Sequence, residues 1–128
     1  MKNKYIIIIF ATILLLSAYI FSQSTGKSEI SIADLIVQLE SEEKPILLDV
    51  RNPNELKGEL GHIYNAINIP VHELEGRLSE LADYKAKKIF VICRSGNRSR
   101  YATALLNKAG FNASNVKGGM IEYHKVKK

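Results

Sequence analysis

The sequence predicts an α/β domain with a mostly parallel central sheet and helices on both faces. Two observations carry that expectation. Short apolar runs at residues 46–50, 67–69 and 89–92 are bounded by Pro, Asn-Pro or a polar loop, as strands buried on both faces are. Between them lie stretches with apolar residues at helical spacing, so strand and helix alternate along the chain.

The elements follow in order. The chain of 128 residues opens with a basic start at Lys2 and Lys4, an uncharged and mostly apolar run at 5–21, and a small, polar stretch at 22–27. This is the layout of a secretory signal, and Ser22 and Ser24 suit cleavage after Ser24. The run also reaches the roughly 17–25 residues that span a bilayer, so residues 1–24 are expected to be a cleaved signal peptide or an uncleaved membrane anchor. Lys2 and Lys4 favour a cytoplasmic N-terminus. Both readings export the domain at 25–128 to the periplasm or another extracytoplasmic space.

The remaining 104 residues suffice for one compact domain, and a monomer is expected. Ser31 is placed to cap a helix with Asp34 in its first turn and Leu35, Ile36 and Leu39 on its apolar stripe. Pro45 introduces the strand at 46–50, Asn52-Pro53 starts a turn or short helix carrying Glu55, and Pro70 closes the strand at 67–69. Leu74, Leu78 and Leu81 predict a helix over 72–81, interrupted by Gly76. Residues 89–92 form the clearest strand and 98–109 the clearest helix, with Gly110 as its C-terminal cap. Val116 is expected to add a short strand before Gly118-Gly119. The chain ends soon after His124, which predicts a short or incomplete last helix.

The formal charge of +5 falls to +3 without Lys2 and Lys4, and Lys125, Lys127 and Lys128 sit together at the tail. That is too mild and too terminal to predict nucleic-acid binding. There is no His/Cys/Asp cluster with metal-ligand spacing and no Gly-rich nucleotide loop, so no cofactor is expected.

The chemistry concentrates on Cys93, the one cysteine of the chain. It stands at the carboxyl end of the strand at 89–92, before a polar, Gly-containing loop and a helix, where activated nucleophiles are built. The loop at 94–98 must curl so that the unpaired N–H groups at the helix start point back at the sulfur. Arg94 and Arg98 add positive charge. A free thiol titrates near ~8.5, and lowering that by ~2 units takes about 2.7 kcal/mol, within reach of a helix terminus plus charge-assisted hydrogen bonds. The bland alternative is a buried cysteine that merely ends a strand. Two arginines, Gly96 and the small polar Ser95, Asn97 and Ser99 within six positions weigh against it. An unpaired thiol in an oxidising compartment is also a liability unless it works.

Four stretches, LLDVRNPNE at 47–55, GHIYNAINIP at 61–70, CRSGNRS at 93–99, and GF at 110–111 with VKGG at 116–119, resemble the rhodanese-like sulfurtransferases, in this order across residues 30 to 124. The resemblance implies a rhodanese-like fold in which Cys93 takes a sulfane sulfur, becomes a persulfide and passes the sulfur on. It further implies that the loop amides of Ser95, Gly96 and Asn97, with Arg94 and Arg98 nearby, bind the donor. Cysteine phosphatases resemble the same plan with five residues between Cys and a phosphate-gripping Arg. Here four separate Cys93 from Arg98, and the phosphatase position is Ser99. The chain departs from the family pattern at Tyr64-Asn65, where Pro-Gly is usual and Asn supplies a left-handed residue, and at Tyr123, where Trp is common.

Asp49 and Arg51, two apart on a strand, project to one side. They form either a structural ion pair or, with Arg51 facing the Cys93 pocket, part of an anion site. No His lies in the loop; His62 is expected to be a turn residue bonded to backbone, and His62 or His72 could approach in space. The leading expectation is an exported thiosulfate sulfurtransferase acting on thiosulfate, a persulfide or a polysulfide, with cyanide or a thiol as acceptor. The alternative is a non-turnover redox-sensing or sulfur-carrier module using the same cysteine.

Overall fold

A computed structural model describes residues 6–15 and 28–128. Residues 6–15 are helical, with the apolar side chains of Ile7, Phe10 and Leu14 exposed. The expected cleavage after Ser24, and much of the run at 5–21, lie outside the described residues. Among those described, no helix is long and apolar enough to cross a membrane.

The domain orders as β1 (Glu29–Ile30), α1 (Ile32–Glu40), β2 (Ile46–Asp49), α2 (Pro53–Leu56), β3 (Ile67–Asn68), a 3-10 helix (Glu75–Tyr84), β4 (Lys88–Ile92), α3 (Asn97–Lys108), β5 (Asn112–Val116) and α4 (Gly119–Lys127). The strands form one sheet in the order β1-β5-β4-β2-β3, and every pairing is parallel. The expected α/β architecture is therefore present.

Period-two alternation along the strands builds two cores. Ile89, Val91 and Cys93 turn to one face of the sheet, where they pack with Leu48, Val50, Ala102, Leu106 and Leu81. Phe90 and Ile92 turn to the other, against Leu47, Leu35, Val116 and Met120. Cys93 thus continues the inward rhythm of β4 onto the α3 face.

Local capping starts the helices as the sequence predicts. Ser31 accepts from the Asp34 N–H at 3.1 Å and caps α1. Asn52 and Glu55 form a capping box around Pro53 on α2. Asn65 is left-handed at φ 64, as its place after Tyr64 requires.

Three elements differ from expectation. The helix expected over 72–81 is a 3-10 helix over Glu75–Tyr84, with Arg77 at non-helical φ −119 and ψ 15. Leu81 stays fully buried, so the apolar spacing is right while Gly76 interrupts regular α geometry. The short strand expected at Val116, before Gly118-Gly119, begins earlier and runs over Asn112–Val116, with Ser114 and Asn115 buried. The edge strand β1 was not foreseen; it pairs Glu29 with Asn115 and Ile30 with Val116. The last helix is short, as expected, at nine residues over Gly119–Lys127, and it packs against the cysteine loop.

Candidate active site

Cys93 sits where β4 gives way to α3, one residue past the strand. Its thiol is almost fully covered, at 1% exposure. The turn is tight because Gly96 takes φ 103, a left-handed conformation that caps the start of α3. A Cβ there would also meet the Gly118 nitrogen at 3.3 Å.

Donors converge on the sulfur. The Gly96 N–H donates to Sγ at 3.1 Å, and the Ser99 hydroxyl lies 3.3 Å away. Burial pushes the thiol pKa up; the Ser99 hydroxyl, then the N–H groups of Ser99, Gly96 and Ser95, push it down by more. The thiol therefore titrates below its ordinary value, through hydrogen bonds to its charged form.

The last helix aims those donors. Met120 N–H donates to the Cys93 carbonyl at 2.8 Å and Ile121 N–H to the Arg94 carbonyl at 3.0 Å. With these carbonyls tied to the first turn of α4, the N–H groups that follow turn inward. Gly119 makes the approach possible: it has φ 57, and a Cβ would collide with the carbonyl oxygens of Cys93 and Arg94.

Charge at the rim is already partly neutralised. Arg98 forms a two-pronged ion pair with Glu55, both contacts 2.7 Å. Arg98 holds the Glu55 carboxyl down to about 2, against the opposing effect of burial. Arg94 is exposed and makes no ion pair among the described residues. Ser95 and Asn97 are also exposed at the mouth.

Arg51 stands elsewhere. Its guanidinium donates to both oxygens of Asp49, at 2.6 Å from Nη2 to Oδ2, and to the Gly61 carbonyl at 2.9 Å. Both side chains of the pair are only 1% exposed. The alternation that joins Arg51 to Asp49 turns the aspartate to the Leu47 face, whereas Cys93 follows Val91 to the other. The structure thus holds Arg51 in the ion pair, with no hydrogen bond to the thiol among the described residues.

Neither candidate histidine bonds to the sulfur. His62 is exposed and makes no hydrogen bond among the described residues, so the expected backbone bond is absent; the Gly61 carbonyl takes Arg51 instead. His72 is exposed, 3.5 Å from Glu73, on the wall of a cleft of about 470 Å³ beside the loop. Asn97, Arg98, Val71, Glu75, Tyr101 and Leu105 complete that cleft.

Sequence reasoning missed Glu55 as the partner of Arg98 and Asn115 as the partner of Ser99, which lies 2.6 Å from it. Glu55 was readable as the N3 residue of a capping box, but its second role depends on a residue 43 positions away. The signal for Asn115 was a polar pair, Ser114-Asn115, directly before Val116 and the Gly118-Gly119 turn.

A Rhodanese-like domain model matches residues 32–125. The chain is 34% identical over 97 residues to a sulfurtransferase of Allochromatium vinosum, covering 75% of this chain and 87% of that protein. It is 39% identical over 83 residues to a tRNA uridine(34) hydroxylase of Buchnera aphidicola, covering 61% of this chain but spanning only 26% of that protein's length. A rhodanese-related protein from Thermoplasma volcanium superposes with a TM-score of 0.69 at 37% identity, covering 78% of this chain and 93% of that one. The strand-loop-helix thiol site and these matches agree, and the chain belongs to the rhodanese-like domain family.

Proposed function

We propose that the protein is a sulfurtransferase of the thiosulfate sulfurtransferase type that carries sulfur on Cys93. The observation that supports it best is the convergence of the Gly96 N–H and the Ser99 hydroxyl on a buried thiol whose titration is lowered. The Cys93 thiolate attacks the outer sulfur of a donor; the new S–S bond forms as the donor's own S–S bond breaks. With thiosulfate the leaving group is sulfite, and with an organic persulfide it is a thiolate. The persulfide anion then rests in the cradle that held the thiolate. Attack by cyanide or a thiolate on its outer sulfur yields thiocyanate or a new persulfide and returns Cys93 as thiolate.

The rim bears on the donor. Glu55 already shares the charge of Arg98, while Arg94 beside the loop has no ion pair among the described residues. That balance favours an organic persulfide, singly charged at its sulfur, over dianionic thiosulfate. The cleft lined by Tyr101 and Leu105 offers room for a donor's organic part.

Sulfur transfer from thiosulfate and from polysulfide to cyanide, followed as thiocyanate, tests the reading with the full chain and Cys93→Ser. The expected result is thiocyanate formation above the uncatalysed rate with both donors, falling to that uncatalysed rate in the variant. Absence of turnover with either donor would reject an enzyme and leave the carrier or redox alternative.

A further inference from the structure

The Ser99 hydroxyl carries one proton and has two acceptors within reach. Its oxygen lies 3.3 Å from Cys93 Sγ and 2.6 Å from Asn115 Oδ1. Cys93, Ser99 and Asn115 are all buried, none more than 1% exposed. No water competes easily for a proton placed there.

The Asn115 amide is oriented from behind. Its Nδ2 donates to Glu29 Oε1 at 3.2 Å, and Arg100 lies 3.4 Å from the same oxygen. The pairing of β1 with β5 sets Glu29 directly opposite Asn115. With Nδ2 committed to Glu29, the amide presents oxygen to Ser99, and an oxygen can only accept. In the thiol state every group is satisfied: S–H donates to Ser99 Oγ, Ser99 to Asn115, and Asn115 to Glu29. Once the sulfur is an anion it needs the Ser99 proton, and delivering it leaves Asn115 Oδ1 buried without that donor, which is unfavourable. Keeping the hydroxyl pointed at Asn115 turns the Ser99 lone pairs toward a negative sulfur instead.

We propose that Asn115, oriented by Glu29, is a positioning residue that decides whether the Ser99 hydroxyl proton points at an amide oxygen or at sulfur, and so sets the balance between the thiol and thiolate forms of Cys93. The thiol proton departs to solvent, and the hydroxyl rotates without changing its own bond. The charged groups around the cluster are Arg98 with Glu55, the Asp49–Arg51 pair of β2, exposed Arg94, and Glu29 with Arg100 and Lys117. Substituting Asn115 removes none of these charges, so its effect reports the hydroxyl.

The proposal deepens the sulfur-transfer reading, but ionisation of the thiol can be read whether or not sulfur moves. The rate of Cys93 alkylation by iodoacetamide against pH, in the full chain, gives the thiolate fraction directly because no other cysteine reacts. Asn115→Leu removes the competing acceptor, and the midpoint is expected to fall by on the order of one pH unit. In a Ser99→Ala background the same substitution is expected to shift nothing. Glu29 lies at the exposed edge, so its variants test the same point without touching the core. Glu29→Ala frees the amide to flip and is expected to lower the midpoint more than Glu29→Gln, which removes the same charge but keeps an oxygen for Asn115. An unchanged or raised midpoint in Asn115→Leu, or a shift that persists without the Ser99 hydroxyl, would overturn the proposal. Should Asn115→Leu fail to fold, equal shifts in the two Glu29 variants would overturn it.

Discussion

The carboxyl ends of β2 and β4 are neighbours in the sheet and follow the same strand, turn and helix plan, yet they resolve their polar groups in opposite ways. At the end of β2, acceptors and donors balance. Arg51 is consumed by Asp49 and Gly61, Asn68 donates to the carbonyls of Asp49 and Arg51 at 2.9 Å each, and Glu55 closes the box on Asn52. At the end of β4, the carbonyls of Cys93 and Arg94 are drawn off by α4, and the released N–H groups face a single sulfur. A structural corner needs balance, whereas a reactive anion needs a surplus of donors with nothing else to bind. The two corners meet in the Arg98–Glu55 pair.

The sharpest way to separate them is to break each in turn. Arg51→Met leaves Asp49 charged and unpaired in the core, and is expected to cost about 3–5 kcal/mol by urea unfolding, a large share of a small domain's stability. Adding Asp49→Leu is expected to recover most of that loss, because removing both charges removes the unpaired one. Cys93→Ser, by contrast, is expected to stay within about 1 kcal/mol of the parent, since its hydroxyl inherits the same donors. A large stability loss in Cys93→Ser would show that the β4 corner is structural as well.

A smaller effect is expected at Gly119. An alanine there must push α4 off the loop at a cost of about 1–3 kcal/mol, and sulfur transfer is expected to fall further than in Gly118→Ala. At Gly118 the added Cβ meets the side chain of Glu122, which can move. Equal losses of activity in the two variants would remove α4 from the account of how the donors are aimed.

The smallest effect concerns the shared ion pair and shows itself in acid. Glu55 titrates at about 2 in the folded chain against an ordinary 4.5, the direction that adds stability above pH 4.5 and loses it as the pH falls toward 2. Both partners are about one-third exposed, so the contribution is on the order of 1–2 kcal/mol after solvent screening. Glu55→Gln is expected to unfold more easily at neutral pH and to lose that part of the acid dependence. A parent and variant with parallel stability curves between pH 4.5 and 2 would show the pair to be inert.

The cysteine loop was legible because its parts are contiguous: Cys93, Gly96 and Ser99 fall within a single turn, and β4 announces itself by four apolar residues in succession. What orients the loop was not, because it arrives from elsewhere. Glu29 lies in a two-residue strand, too short to show any period, and only its pairing with β5 defines it. Polar Ser114 and Asn115 hid β5 from a pattern that looks for apolar runs. Arg51 shows the limit of parity: counting by two joined it to Asp49, but which face the pair took was fixed by how the sheet is covered. The 3-10 helix makes the same point, since Leu74, Leu78 and Leu81 give the buried side without the geometry of the turn.

The most direct test of the central claim is the intact mass of the full chain after brief exposure to polysulfide, with peptide mapping of the product. One added sulfur atom is expected, located on Cys93 and removed by cyanide with release of thiocyanate. A chain that gains no sulfur, or gains one that cyanide cannot remove, would contradict it.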